Sequence, residues 1–173
     1  MARIRLADES PENPQVREVF AEIIERAGRV PAAYRAFARL PHVLQANWNR
    51  TKNILGQGNL PIVTKEAIAT RVSKVNGCNF CLLIHRANLE KLEVPLPQIN
   101  AIESGEVADP NLRLVLEFVA LATKTPEHIS DAHFEKLKGF GYTEEDILEM
   151  LTVMEMYTGY NKIIVALGLQ PED

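Results

Sequence analysis

Two cysteines, one histidine and one glutamate carry the chemistry open to this chain. Cys78 and Cys81 are the only cysteines among 173 residues, and they form a C-x-x-C pair. His85 follows the second cysteine by four residues, and Glu66 precedes the first by twelve. A thiol is a weak nucleophile until it ionises, and several features of this stretch favour the thiolate. The pair lies at the expected N-terminus of a helix, where unpaired N–H groups and the macrodipole stabilise an anion. C-x-x-C neighbours lower thiol pKa values in redox proteins. Cys81 and His85 are related as i, i+4 and Cys78 and His85 as i, i+7, so all three share one narrow helical stripe. The imidazole is then placed to take the thiol proton or to stay charged beside the thiolate.

Glu66 stands about three turns before an Asn76-Gly77 break that ends one helix and starts the next. In two antiparallel helices joined by so tight a turn, the far end of the first faces a point several turns into the second. That point is near His85 or beyond it. A Glu66–His85–cysteine relay follows, in which the carboxylate fixes the imidazole tautomer and the imidazole activates the thiol. Three other readings compete. The cysteines could be structural; Cys78, Cys81, His85 and Glu66 could complete a four-ligand zinc site; or a disulfide could alter an interface without turnover. No second C-x-x-C and no H-x-x-H accompanies the pair, which weakens the zinc reading. Leu82 follows Cys81 where c-type haem attachment needs histidine.

The elements that must position these residues read as helices throughout. Residues 1–13 form an extended arm ending in helix-start residues. Val16, Val19, Phe20, Ile23, Ile24 and Ala27 then recur at helical spacing up to Gly28. A short piece follows Pro31, and a helix carrying Val43, Leu44, Trp48, Thr51 and Leu55 runs after Pro41 into the loop GQGN. Pro61 and Thr64 open the helix bearing Glu66, whose inner face is Ile68, Val72 and Val75; the helix from Cys78 to Leu92 comes next. One short helix lies between 95 and Gly105. LRLVLEFVALAT after Pro110 is apolar nearly all round, so it is buried on most sides. A helix capped by Ser130 or Asp131 and a long one from Thr143 complete the chain. No convincing alternating strand is present. The expectation is an all-α, single-domain bundle of about seven to nine helices spanning 1–173.

Composition narrows function further. Net charge is −4 and no Lys/Arg cluster is present, which argues against a nucleic-acid surface. No apolar run reaches the ~20 residues of a membrane span, and the N-terminus lacks a secretory h-region. The default compartment is cytoplasmic, where two cysteines are redox-active, catalytic or metal-binding more often than a structural bridge. His42, His128 and His133 sit in surface-type contexts. Thr64-Lys65-Glu66-x-Ile68 recurs 79 residues later as Thr143-Glu144-Glu145-x-Ile147, which places Tyr157 and Tyr160 where Cys78 and Cys81 stand. This echo is either a shared helix-start pattern or a duplicated helical hairpin without the cysteines.

Glu66-x11-Cys78-x2-Cys81-x3-His85, within TKEAIATRVSKVNGCNFCLLIHRANLEKLEV, resembles the signature of alkylhydroperoxidase D-like proteins in the carboxymuconolactone decarboxylase superfamily. GRVPAAYRAFARLPHVLQ and YNKIIVALGLQPED are similar to its peroxidase-related branch. The resemblance implies an all-helical fold, homo-oligomers (trimers or hexamers) built through helical faces, and a thiol peroxidase acting on hydroperoxides. It also implies that Cys81 attacks, Cys78 resolves, and His85 and Glu66 relay protons. A thioredoxin-like or lipoyl dithiol would be the reductant; no metal, flavin or haem is called for. One departure is Phe80, at a position where some members carry a relay histidine and where phenylalanine cannot shuttle protons. The family's namesake lactone-processing decarboxylase activity is a further alternative, although that branch generally lacks the C-x-x-C.

Overall fold

The computed structural model describes residues 2–171. Nine α-helices and one 3-10 turn account for its regular structure, with no strand among the described residues. The helices are α1 (Pro14–Ala27), α2 (Ala32–Phe37), α3 (Pro41–Gly56), α4 (Ile62–Val75), α5 (Asn79–Lys91), α6 (Leu96–Ser104), α7 (Pro110–Lys124), α8 (Asp131–Gly139) and α9 (Glu144–Leu167). The all-α expectation and its upper helix number hold. No described helix is long and apolar enough to cross a membrane. The chain clusters into two compact units, one comprising 54–163 and the other the described residues before and after it.

In the first unit, Asn13 caps α1 by accepting from the Val16 N–H at 3.2 Å, and Pro14 occupies the first turn, where no N–H is needed. Val16, Val19, Phe20 and Ile23 are buried, but Ile24 and Ala27 are exposed. The buried stripe is therefore narrower than the sequence pattern: Ile24 lies at its edge, and Ala27 falls in the last turn, past the packed surface. Trp48 is fixed at both ends. Its indole N–H donates to Glu22 Oε2 at 2.8 Å, and its ring meets Tyr34 edge-on at 5.6 Å.

The second unit is organised around α4. Lys65, Glu66, Ala67, Ile68, Ala69, Thr70, Val72 and Ser73 are all buried, and α4 packs against α5, α6 and α7. Small side chains make this possible. Ala67, Ala69, Thr70 and Ser73 let neighbours approach on every side, whereas a leucine-rich helix would hold them apart. On one side Ile68, Ala69 and Val72 join Val115, Phe118 and Val119 of α7 with Ile147, Met150 and Val153 of α9. On another, Ala67 joins Leu89, Ile99, Ile102 and Leu116. α7, expected to be buried on most sides, keeps Arg113 and Glu117 exposed.

Lys65 is buried without isolation. Its Nζ donates to the Ile54 carbonyl at 2.8 Å and to the Gln57 carbonyl, and pairs with Glu149 Oε1 at 2.6 Å. Glu149 Oε2 in turn accepts from the Asn59 and Leu60 N–H groups at 2.8 and 3.1 Å. The loop after α3 thus folds around one ion pair. Gly58 makes room for it, with φ +96 and a site where an added Cβ would lie 2.2 Å from Glu149 Oε1.

Candidate functional site

The site is built by the reversal between α4 and α5. Val72 and Lys74 carbonyls close the end of α4, and Gly77 adopts φ +68, which only glycine takes without strain. The Cys78 N–H then donates to the Ser73 carbonyl at 3.0 Å. Cys78 becomes the N-cap of α5, and its sulfur accepts from the Cys81 N–H at 3.3 Å. A sulfur in that role takes one of the N–H groups that a helix start leaves unpaired. The two cysteines form a disulfide with Cα atoms 5.3 Å apart, and both are buried, at 1% and 3% exposure.

α5 returns along α4 and carries His85 to Glu66. Nδ1 of His85 lies 2.8 Å from Glu66 Oε2, with both side chains buried. Asn88, one turn beyond His85, donates from Nδ2 to both oxygens of the same carboxylate at 3.3 Å each. Tyr157 of α9 meets the imidazole edge to face, ring centroids 4.4 Å apart and planes at 81°. Phe80 is buried in the first turn of α5.

The four residues named from sequence therefore come together as two contacts: a Cys78–Cys81 disulfide on the first turn and a Glu66–His85 pair one turn further along. His42 and His128 are exposed, and His133 accepts from the Ser130 N–H at 3.1 Å in a capping box. None belongs to the site. Among the described residues no cluster of three or more His, Cys, Asp or Glu is arranged to hold a metal ion, and the disulfide engages both sulfurs that the zinc reading needs. Tyr157, which the sequence suits to the core, an interface or the lining of the site, packs on His85. Asn88 escapes the sequence reading. The signal for it was present: Cys78, Cys81, His85 and Asn88 are spaced three, four and three apart, one continuous helical face.

A chemically intelligible pair emerges from these contacts. An amide NH2 only donates, so the carboxylate oxygens it faces are acceptors. Glu66 Oε2 then accepts from Nδ1–H, and in the neutral imidazole Nε2 carries the lone pair. Arg86 anchors α5 to α6. Arg86 donates to Glu103 Oε2 at 2.5 Å and to Asn100 at 2.9 Å, and Lys74 bonds the same carboxylate at 2.8 Å. The Lys74 hydrogen bond, aided by Arg86, holds the Glu103 carboxyl below its ordinary value against the opposing effect of burial.

The carboxymuconolactone decarboxylase family model matches twice, over residues 41–108 and 105–170, and the chain belongs to that family. The first match contains the T-K-E-x-I segment and all four site residues; the second contains the echoing T-E-E-x-I and Tyr157. Among solved structures, the chain is similar to an uncharacterized peroxidase-related protein from Silicibacter sp. TM1040 at TM-score 0.90 and 24% identity, covering 98% of this chain and 91% of that one. It is similar to an alkylhydroperoxidase AhpD core protein, peroxidase-related and uncharacterized, from Ralstonia eutropha JMP134 at TM-score 0.89 and 22% identity, covering 99% and 93%. A cysteine-to-alanine form of the debrominase Bmp8, in complex with 2,3,4-tribromopyrrole, matches at TM-score 0.84 and 20% identity, covering 98% and 93%. These likenesses establish the AhpD-like fold.

Proposed function

We propose that the chain is a thiol-dependent peroxidase acting on hydroperoxides. The observation that carries the reading is the buried Glu66–His85 pair lying one helical turn behind the C-x-x-C. In the reduced protein His85 Nε2 takes the proton of Cys81. The thiolate attacks the terminal oxygen of ROOH; the S–O bond forms, the O–O bond breaks, and the alkoxide leaves with the proton held by His85. Cys81 is then a sulfenic acid. Cys78, whose sulfur accepts the Cys81 N–H, attacks it and expels water, which gives the disulfide. A thioredoxin-like or lipoyl dithiol restores both thiols by exchange and is itself oxidised to a disulfide. The chain works as a homo-oligomer: Leu83, Leu96 and Leu148 of the second unit are more than half exposed and supply apolar surface for a second copy.

A second reading, a disulfide that switches by exchange without peroxide turnover, draws on the burial of both sulfurs and on Phe80 at the relay position. One experiment separates the two. Protein reduced under anaerobic conditions is mixed with one equivalent of cumene hydroperoxide, and thiols and cumyl alcohol are counted. Loss of two thiols per alcohol formed within seconds, abolished in Cys81→Ser, supports the peroxidase. Thiols that persist for hours in peroxide yet exchange with a dithiol favour the switch. Bromide release from 2,3,4-tribromopyrrole, the ligand of the related Bmp8, would replace the peroxidase reading with reductive dehalogenation.

A further inference from the structure

We infer that Asn88 is a positioning residue of the thiol site, holding Glu66 so that His85 presents Nε2 as a base; the inference rests on the relay proposed above. Three observations carry it. Asn88 Nδ2 is 3.3 Å from each oxygen of Glu66, so one amide spans the whole carboxylate. Glu66 Oε2 is the same atom that meets His85 Nδ1 at 2.8 Å. Asn88 and His85 lie on one face of one helix, three residues apart, so the imidazole and the clamp on its partner move as a unit.

The amide orientation follows from chemistry. With its carbonyl turned to Glu66, Asn88 would set oxygen against two carboxylate oxygens, so the NH2 must face them. Oε2 then already receives one proton donor and can only accept a second. Nδ1 is therefore the protonated ring nitrogen, and the lone pair of a neutral His85 is on Nε2. Without Asn88 the carboxylate keeps a single tether. It can swing about its terminal torsion, which is broad for glutamate, and Nδ1–H loses its fixed acceptor. The ring can then take the other tautomer, with its proton on Nε2, which cannot receive the thiol proton. A clamp made of an amide serves here where a cation would not: it directs the carboxylate without competing with His85 for charge.

The test measures thiol alkylation by iodoacetamide in reduced protein from pH 5 to 9, each event displacing iodide and freeing the thiol proton. Wild type, Asn88→Ala, Asn88→Asp, Glu66→Gln and the Glu66→Gln/Asn88→Ala double variant are compared. Asn88→Ala is expected to slow Cys81 alkylation about 10-fold near pH 7, the lower end of what losing the partner that orients a metal-bound imidazole costs, and to bring the pH profile onto that of Glu66→Gln. In the double variant the Asn88 change should add less than about twofold, because it acts only through the carboxylate. Asn88→Asp preserves size but removes the donor, so it should be at least as slow as Asn88→Ala; a packing role would leave it nearer wild type. Asn88→Ala at wild-type rate, or an undiminished further loss in the Glu66→Gln background, overturns the inference while leaving the relay intact. Glu66→Gln at wild-type rate sinks the relay itself, and Asn88 with it.

Discussion

Replacing Glu66 by glutamine probes the site most sharply, because it changes charge at nearly constant shape. Glu66 accepts from Nδ1 of His85 at 2.8 Å and from Asn88 Nδ2 at 3.3 Å, and both members of the pair are buried. Glutamine has one oxygen for two donors. If the oxygen faces Asn88, the NH2 meets Nδ1, and the ring must turn that nitrogen into an acceptor and protonate Nε2. If the oxygen faces His85, two NH2 groups confront each other. Either arrangement removes the anion that steadies an imidazolium when His85 takes the thiol proton. Two unit charges about 4 Å apart attract by about 4 kcal/mol at an effective dielectric near 20. Desolvation offsets part of this, leaving the ~1.5–3 kcal/mol typical of a hydrogen bond to a charged group. At ~1.4 kcal/mol per tenfold, thiol oxidation should slow about 10- to 150-fold. Stopped-flow mixing of reduced protein with cumene hydroperoxide, followed by thiol count, measures it. A rate within about twofold of wild type, with the fold intact by circular dichroism, refutes the relay.

Lys65→Met should lower stability by about 3–5 kcal/mol, because it leaves the half-buried Glu149 carboxylate without its cation and takes the Nζ donor away from the Ile54 and Gln57 carbonyls; urea denaturation reads the loss, and a change below ~1 kcal/mol would contradict this account of the ion pair. Gly58→Ala should cost about 2 kcal/mol or more, since φ is +96 and the new Cβ would collide with the Glu149 carboxylate. Glu149 also predicts a pH dependence. Burial pushes its carboxyl up, but the Lys65 ammonium and the Leu60 and Asn59 N–H groups outweigh that and hold it below its ordinary value. A carboxyl lowered in the folded state stabilises above its unfolded value, about 4.3, and that stability is lost as pH falls through the folded one. The urea midpoint of Glu149→Gln should therefore fall less steeply than wild type below about pH 4.3; equal slopes would show that Glu149 is not held down.

Much of this arrangement is legible from sequence, and what is missed shares one cause. Cap and breaker residues mark helix ends locally: Asn13 with Pro14, Gly28, Asn76-Gly77, Gly105 and Ser130 all lie where elements start or stop. Glu66 is legible because a tight turn makes facing positions countable. Lys65 is not, because a lysine reads as a solvated residue until its partners are known, and those are two carbonyls and a carboxylate 84 residues on. The central place of α4 is hidden for a related reason. Its Ala, Thr and Ser residues carry little hydropathy, so the pattern shows one apolar stripe although the helix is enclosed on nearly every side. α7 shows the converse, a strongly apolar sequence that still leaves Glu117 in solvent.

The doubled family match separates the residues with chemical potential from those that hold them in place. Cys78, Cys81, His85 and Glu66 all fall in the first match, 41–108. The second, 105–170, has tyrosines at both cysteine positions of the echo and so offers no thiol. It nevertheless supplies two braces from α9. Tyr157, the echo's counterpart of Cys78, lies against His85 at 4.4 Å, and Glu149 binds Lys65, the immediate neighbour of Glu66 on α4. One brace touches the imidazole directly; the other fixes the start of the helix that carries its carboxylate. Neither Tyr157 nor Glu149 belongs to a thiol motif, so the second match carries no C-x-x-C to mark its part in the site. Its contribution becomes visible only when the side chains across from His85 and Lys65 are named.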